Sequence, residues 1–547
     1  MRENIQRLWG FAKGFRSWIV LRGAVGVLRV CFSLMFVWLC KQLIDIASHV
    51  VEGNISYYIV LLVVVMICEL FLSAYGGWLE NRNDIRIKNK LRHNLFSHLM
   101  FSVWGGKEHF HSGDVLNRIE EDVRMTAEVL CKTFPSILVV CFQALSAFVF
   151  LCQLDKRMAW LMILIMPGFL LLSKIYMKRM HRLTKEIRTS DSRVQSHMQE
   201  NIQHSVLIRT LEQSENVSDR LGFLQDVLYG QTLKRINLTT FSRALIMLGF
   251  ATSYAFAFVW GVKGIYAGAI TYGVMSAFLQ LVGQVQRPIV ELSRYIPTIA
   301  QSFSSVERLK ELKDIDIEEQ GKLHIFDQEV GVRMEGVSFA YPNDDRQIIK
   351  DFSFDFAPGS RTAIIGETGA GKSTLIRLML ALLRPQEGEI YLYGLSQKKE
   401  VSPLTRCNMV YVPQGNTLLS GTIRDNLLLG NPNATDMQVH DALHTAVAEF
   451  VYDLSDGLDT LCGERGSGLS EGQAQRICIA RGLLRSARIL LLDEFSSSLD
   501  SDTEELLMER LISKAVNKTL IFITHREMVA EYCSHVIKLH RLGVDDD

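Results

Sequence analysis

The clearest chemistry in this 547-residue chain sits in nine consecutive residues, Gly366-Glu367-Thr368-Gly369-Ala370-Gly371-Lys372-Ser373-Thr374. The run Arg361–Ile365 before them reads as a strand and Leu375–Leu383 after them as a helix. The pattern G-x-x-x-x-G-K-S therefore has the strand–loop–helix setting that a phosphate-binding loop requires. Glycines let backbone N–H groups close around phosphates without side-chain clash, and the following helix points its positive end at the same anion. Lys372 would bring a point charge to the β- and γ-phosphate oxygens of ATP. Ser373 offers its hydroxyl to Mg²⁺, a hard cation that takes oxygen ligands.

A second element of the same chemistry is Ile489-Leu490-Leu491-Leu492-Asp493-Glu494, a buried apolar strand ending in two acids. Active sites of parallel sheets lie at strand C-termini, so this is where acids would be placed. Asp493 is expected to hold the shell of the metal, and Glu494 to polarise the attacking water as general base. Alone, a strand ending in Asp-Glu is common; together with the phosphate loop it points to nucleotide hydrolysis.

Between the two lies GERGSGLSEGQAQRICIARGLL, in which Leu469-Ser470-Glu471-Gly472-Gln473 resembles the signature motif of the ATP-binding cassette (ABC) transporter family. The usual family form has Gly where this chain has Glu471. The resemblance implies that Ser470, Gly472 and Gln473 open a helix N-terminus that binds the γ-phosphate held by a partner cassette, so that two cassettes meet head to tail. It further implies that Tyr341 stacks on adenine, that Gln414 links nucleotide and metal to the membrane domain, and that His525 is a switch histidine near the γ-phosphate. Ser498-Leu499-Asp500 resembles the loop that crosses the dimer, and Gly463-Glu464-Arg465-Gly466 a segment typical of exporters. The expected site is thus Lys372, Gln414, Glu494 and His525 for catalysis; Tyr341, Gly366–Thr374, Ser470, Gly472, Gln473 and Asp500 for ATP; and Ser373, Gln414 and Asp493 for Mg²⁺.

Positioning these groups falls to two very different halves. Hydrophobic residues make up 48% of the chain, high for a soluble protein. Six apolar stretches long enough to cross a bilayer all precede about residue 300: Trp18–Ile46, Ile55–Leu79, Val129–Leu154, Met158–Met177, Leu245–Ala269 and Tyr272–Ile296. An even number returns both ends of the chain to one side. Lys and Arg gather at the N-terminus, at Arg82–Arg92 and at Lys174–Arg193, which puts that side in the cytoplasm by the positive-inside bias. The polar connections after the second and fourth spans are long, helical in charge pattern and poor in Pro. Ile55 to Val103 as one helix would reach about 70 Å, against a hydrocarbon core of about 30 Å, so much of it stands in the cytoplasm. A turn at Gly105–Gly106 followed by HFHSGDVLNRIEEDV, and the segment IRTLEQSENVSDR near Ile208, are expected tips that touch a cytoplasmic domain. Among charges inside the spans, Arg22 and Arg29 share a helix face; they either line a cavity for an anionic substrate or snorkel or pair with Glu69.

The fold expected is a multi-domain membrane protein: an all-α transmembrane domain of six helices over residues 1–315, then an α/β phosphate-loop ATPase cassette over residues 325–547. The six long spans fused ahead of one cassette resemble the type IV exporter fold. The start MRENIQRLWGFAKGFRSW is basic and amphipathic without a small-residue cleavage site, which reads as a cytoplasmic interfacial helix rather than a removable signal. Ten cysteines without metal-ligand spacing read as reduced packing residues, and a net charge of zero speaks against nucleic acid as a partner. The function implied is outward movement of a lipid, peptide or hydrophobic small molecule, driven by ATP in a pair of half-transporters at the plasma (inner) membrane. A homodimer is expected because every hydrolytic motif is present in one chain; a heterodimer is the alternative. An ATP-gated channel or regulatory membrane protein is the other functional class, which Glu494 speaks against. A soluble cassette acting on ribosomes or DNA is excluded by the six spans.

Overall fold

The computed structural model describes residues 8–103, 112–342, 346–463 and 468–541, without the side chains of 112, 161–178, 181, 289 and 293. The chain divides into two compact units, Met1–Leu95 with Asn117–Glu311, and Phe96–Leu116 with Leu312–Asp547. The division near residue 312 lies close to the composition change after the last span. Residues 96–103 and 112–116, on either side of the start of the first expected tip, by contrast cluster with the second unit.

The first unit is helical. Among the described residues, long helices occupy the positions of the apolar stretches: α1 (Arg16–Ala47), α2 (Ile55–Met100), α3 (Gly113–Leu154), α4 (Lys156–Gln203), α5 (Ser214–Tyr266) and α6 (Tyr272–Lys313). Among the described residues α1, α2, α3 and α5 are long and apolar enough to span a membrane. Those of α4 that would carry its apolar stretch lie outside the described side chains. Along α2, Ile59, Val60, Val63, Ile67, Leu70 and Phe71 are exposed, the arrangement of a helix whose surroundings are apolar. At 46 residues α2 is about 70 Å long, so it extends well beyond a hydrocarbon core of about 30 Å. The chain also turns where IRTLEQSENVSDR was expected to form a tip, with α5 beginning at Ser214 after a break at Leu211–Gln213.

Helix α3 contains two π-helical turns, Arg118–Asp122 and Val129–Thr133. Pro135 explains the second: it has no N–H for the carbonyl four residues back, and its ring crowds that carbonyl. One expectation needs correction here. Arg22 pairs with Glu80, at 2.9 Å, and not with Glu69, because Glu80 lies three helical turns further along α2, level with Arg22 on α1. Arg29 approaches the Ser73 hydroxyl at 3.5 Å. The described part of the N-terminal segment buries Leu8 and Ala12 completely in a core with Ile19, Ile87, Leu91, Val123 and Leu309.

The second unit is built on two sheets. An antiparallel sheet has the order β2-β1-β4-β5, from β1 (Gly331–Ala340), β2 (Gln347–Phe356), β4 (Glu387–Tyr393) and β5 (Lys398–Glu400). The central sheet is wholly parallel, in the order β11-β3-β10-β9-β6, from β3 (Arg361–Gly366), β6 (Met409–Val412), β9 (Ile489–Asp493), β10 (Thr519–Ile523) and β11 (His535–Leu539). Alternation along its strands fills two cores. Leu490, Leu492, Leu520 and Phe522 enter one, with Ile477, Leu507 and Phe495. Ile489, Leu491, Ile521 and Ile523 enter the other, with Leu375, Ile376 and Met379 of α7 (Lys372–Met379). Burial on both faces is why these strands read as unbroken apolar runs. A short pair, β7 (Gly421–Thr422) with β8 (Leu461–Cys462), accompanies the helices α8 (Ile423–Leu428), α9 (Asp436–Thr445), α10 (Glu471–Leu483) and α11 (Ser501–Lys514).

Candidate active site

Strand order assembles the site. In the central sheet β10 lies between β3 and β9, and β6 lies beyond β9. All run parallel, so the segments that follow them emerge at one edge: the phosphate loop after β3, Asp493-Glu494 at the end of β9, Thr524-His525 after β10 and Gln414 after β6. Residues more than 150 positions apart in sequence thereby become neighbours.

The phosphate loop has three glycines at positive φ: Gly366 at 151°, Gly369 at 89° and Gly371 at 96°. Gly371 is the residue that opens α7, and its left-handed backbone turns the loop into the helix. A Cβ at Gly366 would lie 2.3 Å from the Leu539 carbonyl oxygen, so no other residue fits there. Lys372 is 94% buried; its ammonium donates to the Gly366 and Glu367 carbonyls at 2.6 and 3.0 Å and lies 3.1 Å from His525 Nε2. Burial lowers the Lys372 pKa, against the opposing pull of Glu494 and Asp493.

Glu494 is the one acidic group at the site with a strained backbone, at φ 45°. The turn is held at both ends, because its N–H donates to the Ile523 carbonyl at 2.9 Å and its own carbonyl accepts from Gln475 Nε2 at 3.0 Å. Its carboxylate lies 3.1 Å from His525 Nε2 and accepts a hydrogen bond from Gln414 Nε2. Lys372, His525, Glu494 and Gln414 thus form a continuous polar chain. Asp493 accepts from the Ser373 hydroxyl and, at 3.1 Å, from the Tyr411 hydroxyl. Desolvation raises the Asp493 pKa, and these two hydrogen bonds partly offset it. Tyr411 is pushed up as well, first by burial and then by the Asp493 charge.

At the far side of the loop, the Tyr341 hydroxyl lies 3.2 Å from Thr374 Oγ1 and accepts from Arg377 at 3.1 Å. The adenine-stacking candidate is therefore tied to the helix that follows the phosphate loop.

The signature residues form a separate cluster. Ser470 caps α10 through a reciprocal box, its hydroxyl accepting from the Gln473 N–H at 3.2 Å and its own N–H donating to Gln473 Oε1 at 2.9 Å. A Cβ at Gly472 would stand 2.7 Å from the Ser498 carbonyl oxygen, so the signature helix and the Ser498-Leu499-Asp500 loop are in direct backbone contact. Asp500 caps α11, accepting from the Thr503 N–H at 3.1 Å. Among the described residues, Ser470, Gly472, Gln473 and Asp500 bond to one another's neighbourhood and not to the phosphate loop of their own chain. Of the exporter-type segment Gly463–Gly466, residues 464–466 lie outside the described residues, as does the start of the first expected tip, 105–111.

Tyr411, Gln475 and Arg377 were not singled out by sequence. Tyr411 stands three residues before Gln414 on β6 and Gln475 two residues after the signature; neither has a local pattern that marks it, since each acts through a partner distant in sequence.

Comparison with known proteins agrees with this geometry. The ABC transporter transmembrane region matches residues 19–289 and the ABC transporter domain residues 349–497. The Bacillus subtilis (strain 168) protein named "Putative multidrug export ATP-binding/permease protein YgaD" is 24% identical, over 97% of this chain and 94% of its own length. Its counterpart SAOUHSC_02003 of Staphylococcus aureus (strain NCTC 8325 / PS 47), given the same description, is 27% identical over the same shares. A solved structure of a bacterial Atm1-family ABC exporter with ATP bound superposes with a TM-score of 0.79 at 23% identity, covering 97% of this chain and 95% of that one. With a membrane region ahead of an ATP-binding cassette, both matched along their length, the chain is an integral membrane protein of the ABC transporter family, a half-transporter of the exporter fold that couples ATP hydrolysis to transport.

Proposed function

We propose that two copies of this chain pair, their cassettes enclosing two ATP molecules and their helices enclosing one outward path for a lipid, peptide or hydrophobic small molecule. The observation that carries this reading is the polar chain Lys372–His525–Glu494–Gln414 at the edge of the parallel sheet, with the signature cluster standing apart from it in the same subunit. A signature helix N-terminus that does not serve its own phosphate loop is free to serve a partner's. The full set of motifs in one chain favours a homodimer.

In this reading the backbone of Gly366–Thr374 and Lys372 hold the β- and γ-phosphates, Tyr341 stacks on adenine, and Glu494 takes a proton from the attacking water. Gln414 and His525 fix the Glu494 carboxylate. Ser373, Gln414 and Asp493 would hold Mg²⁺, which neutralises phosphate charge when bound. The residues fit such an ion: they are oxygen donors, and Ser373 already bonds to Asp493. No group of three or more His, Cys, Asp or Glu that could cage a metal occurs among the described residues, which suits a cation that takes few protein ligands and completes its shell with phosphate and water. ATP fits the closed cassette pair better than the open one, so its binding shifts the helices outward and its hydrolysis removes that bias. The cassette and both ends of the chain lie in the cytoplasm, beneath the plasma (inner) membrane, by the distribution of Lys and Arg. An ATP-gated channel would not need the base at Glu494.

The test is mass spectrometry of molecules that co-purify with Glu494→Gln protein, followed by vesicles carrying the parent chain and the molecule found. ATP-dependent outward movement is expected. A chain that stays monomeric with ATP, or passes ions without turning over, would end this reading.

A further inference from the structure

The connection that leaves α6 does not run loosely into the cassette. Residues 316–318 pair with the end of α2 as a two-residue antiparallel bridge. Ser102 stands opposite Ile317, the Val103 N–H donates to the Asp316 carbonyl at 2.8 Å, and the Glu318 N–H donates to the Phe101 carbonyl at 2.8 Å. His98 Nε2 adds a contact of 2.9 Å to the Ile315 carbonyl. The bridge therefore joins the chain just after α6 to the chain just after α2.

Arg406 then ties this bridge to the nucleotide helix. Its guanidinium meets both oxygens of Glu318, Nη1 at 3.0 Å and Nη2 at 2.9 Å. It also donates through Nε to the Leu380 carbonyl at 2.8 Å and through Nη2 to the Ala381 carbonyl at 3.1 Å. Those are the open carbonyls at the C-terminal end of α7, the helix that begins at Lys372. The turn there is fixed by Ala381 at φ 52°. Both side chains are largely buried, 28% and 16% exposed, so the pair is little screened by solvent. A planar guanidinium can make a two-pronged contact to a carboxylate while capping a helix end; an ammonium cannot.

We propose that Arg406 and Glu318 are positioning residues that transmit ATP binding: when the phosphate loop engages nucleotide, movement of α7 is carried through the guanidinium to the 316–318 bridge, and so to the ends of α2 and α6 together. The inference rests on the ATP-binding reading of the Lys372 loop. It assigns a route from that loop that runs through the connector and not through the cytoplasmic tips.

Hydrogen exchange with mass detection on full-length Glu494→Gln protein, with and without MgATP, tests it. In this background ATP is expected to protect the backbone of 372–380 and also 98–103 and 314–318. Glu318→Ala leaves the Arg406 cap on α7 in place, so the cassette folds and ATP still protects 372–380. Protection at 98–103 and 314–318 is expected to fall about tenfold. Arg406→Lys, which keeps the charge, is expected to lose it likewise, and Glu318→Ala combined with Arg406→Ala to be no worse than Arg406→Ala alone. ATP protection of the two bridge segments at the parental level in Glu318→Ala and Arg406→Lys would overturn the route. Absence of protection at 372–380 in the Glu494→Gln protein itself would instead overturn the ATP-site reading.

Discussion

Replacing Glu494 by Gln removes one proton acceptor and almost nothing else. The turn that presents this residue is held by backbone bonds to Ile523 and Gln475, neither of which involves its side chain. An amide of the same shape can still accept from Gln414 and lie against His525. Structural loss is therefore confined to one altered hydrogen bond, worth about 1 kcal/mol, so the ATP dissociation constant should stay within about fivefold of the parent. The charge change acts in two directions at once, since it removes repulsion of the phosphates and also a carboxylate that favours the Lys372 ammonium. Chemistry is where the cost falls. A positioned general base contributes about 10² to 10⁴ in rate, or roughly 2.7 to 5.4 kcal/mol of barrier. The assay is phosphate release by detergent-purified protein at saturating MgATP, with equilibrium binding of labelled ATP measured on the same sample. A variant that binds ATP normally and hydrolyses it within about threefold of the parent would refute the assignment of Glu494 as base.

Other expected outcomes follow from the same geometry. Lys372→Ala and Ser470→Ala should each inactivate a homodimer, but mixing the two variants should restore about half the activity in mixed pairs, because one of the two composite sites is then intact; no recovery in co-expressed, doubly tagged protein would exclude head-to-tail sites. Gly472→Ala places a methyl 2.7 Å from the Ser498 carbonyl, so it should cost about 1–3 kcal/mol and lower the thermal midpoint of the full chain; an unchanged midpoint would show that the loop yields freely. Asp493 has a raised pKa from burial, so its charged form opposes folding at a pH above that pKa and the penalty disappears as pH falls through it. Asp493→Asn should accordingly gain stability over the parent at neutral pH and lose that gain in acid, read as the difference in midpoints across a pH series.

The chemistry of the cassette was legible in the chain because each motif is local. A loop needs Gly366, Gly369 and Gly371 for its backbone and Lys372 for its charge, and these lie within seven residues. The spans were legible for a similar reason: lipid leaves backbone groups no partner but their own helix, which demands long apolar runs. What the tertiary structure decided was pairing. Arg22 could reach any acid on a facing helix, and only the rotation and stagger of α1 against α2 select Glu80 over Glu69. Tyr411 and Gln475 gain their roles because β6 and α10 come to lie beside Asp493 and Glu494, and Arg406 because the chain after α6 folds back across the end of α7. Such contacts join residues from 19 to 88 positions apart, whose partners no spacing in sequence records; they depend on the order in which parallel strands and packed helices are laid side by side.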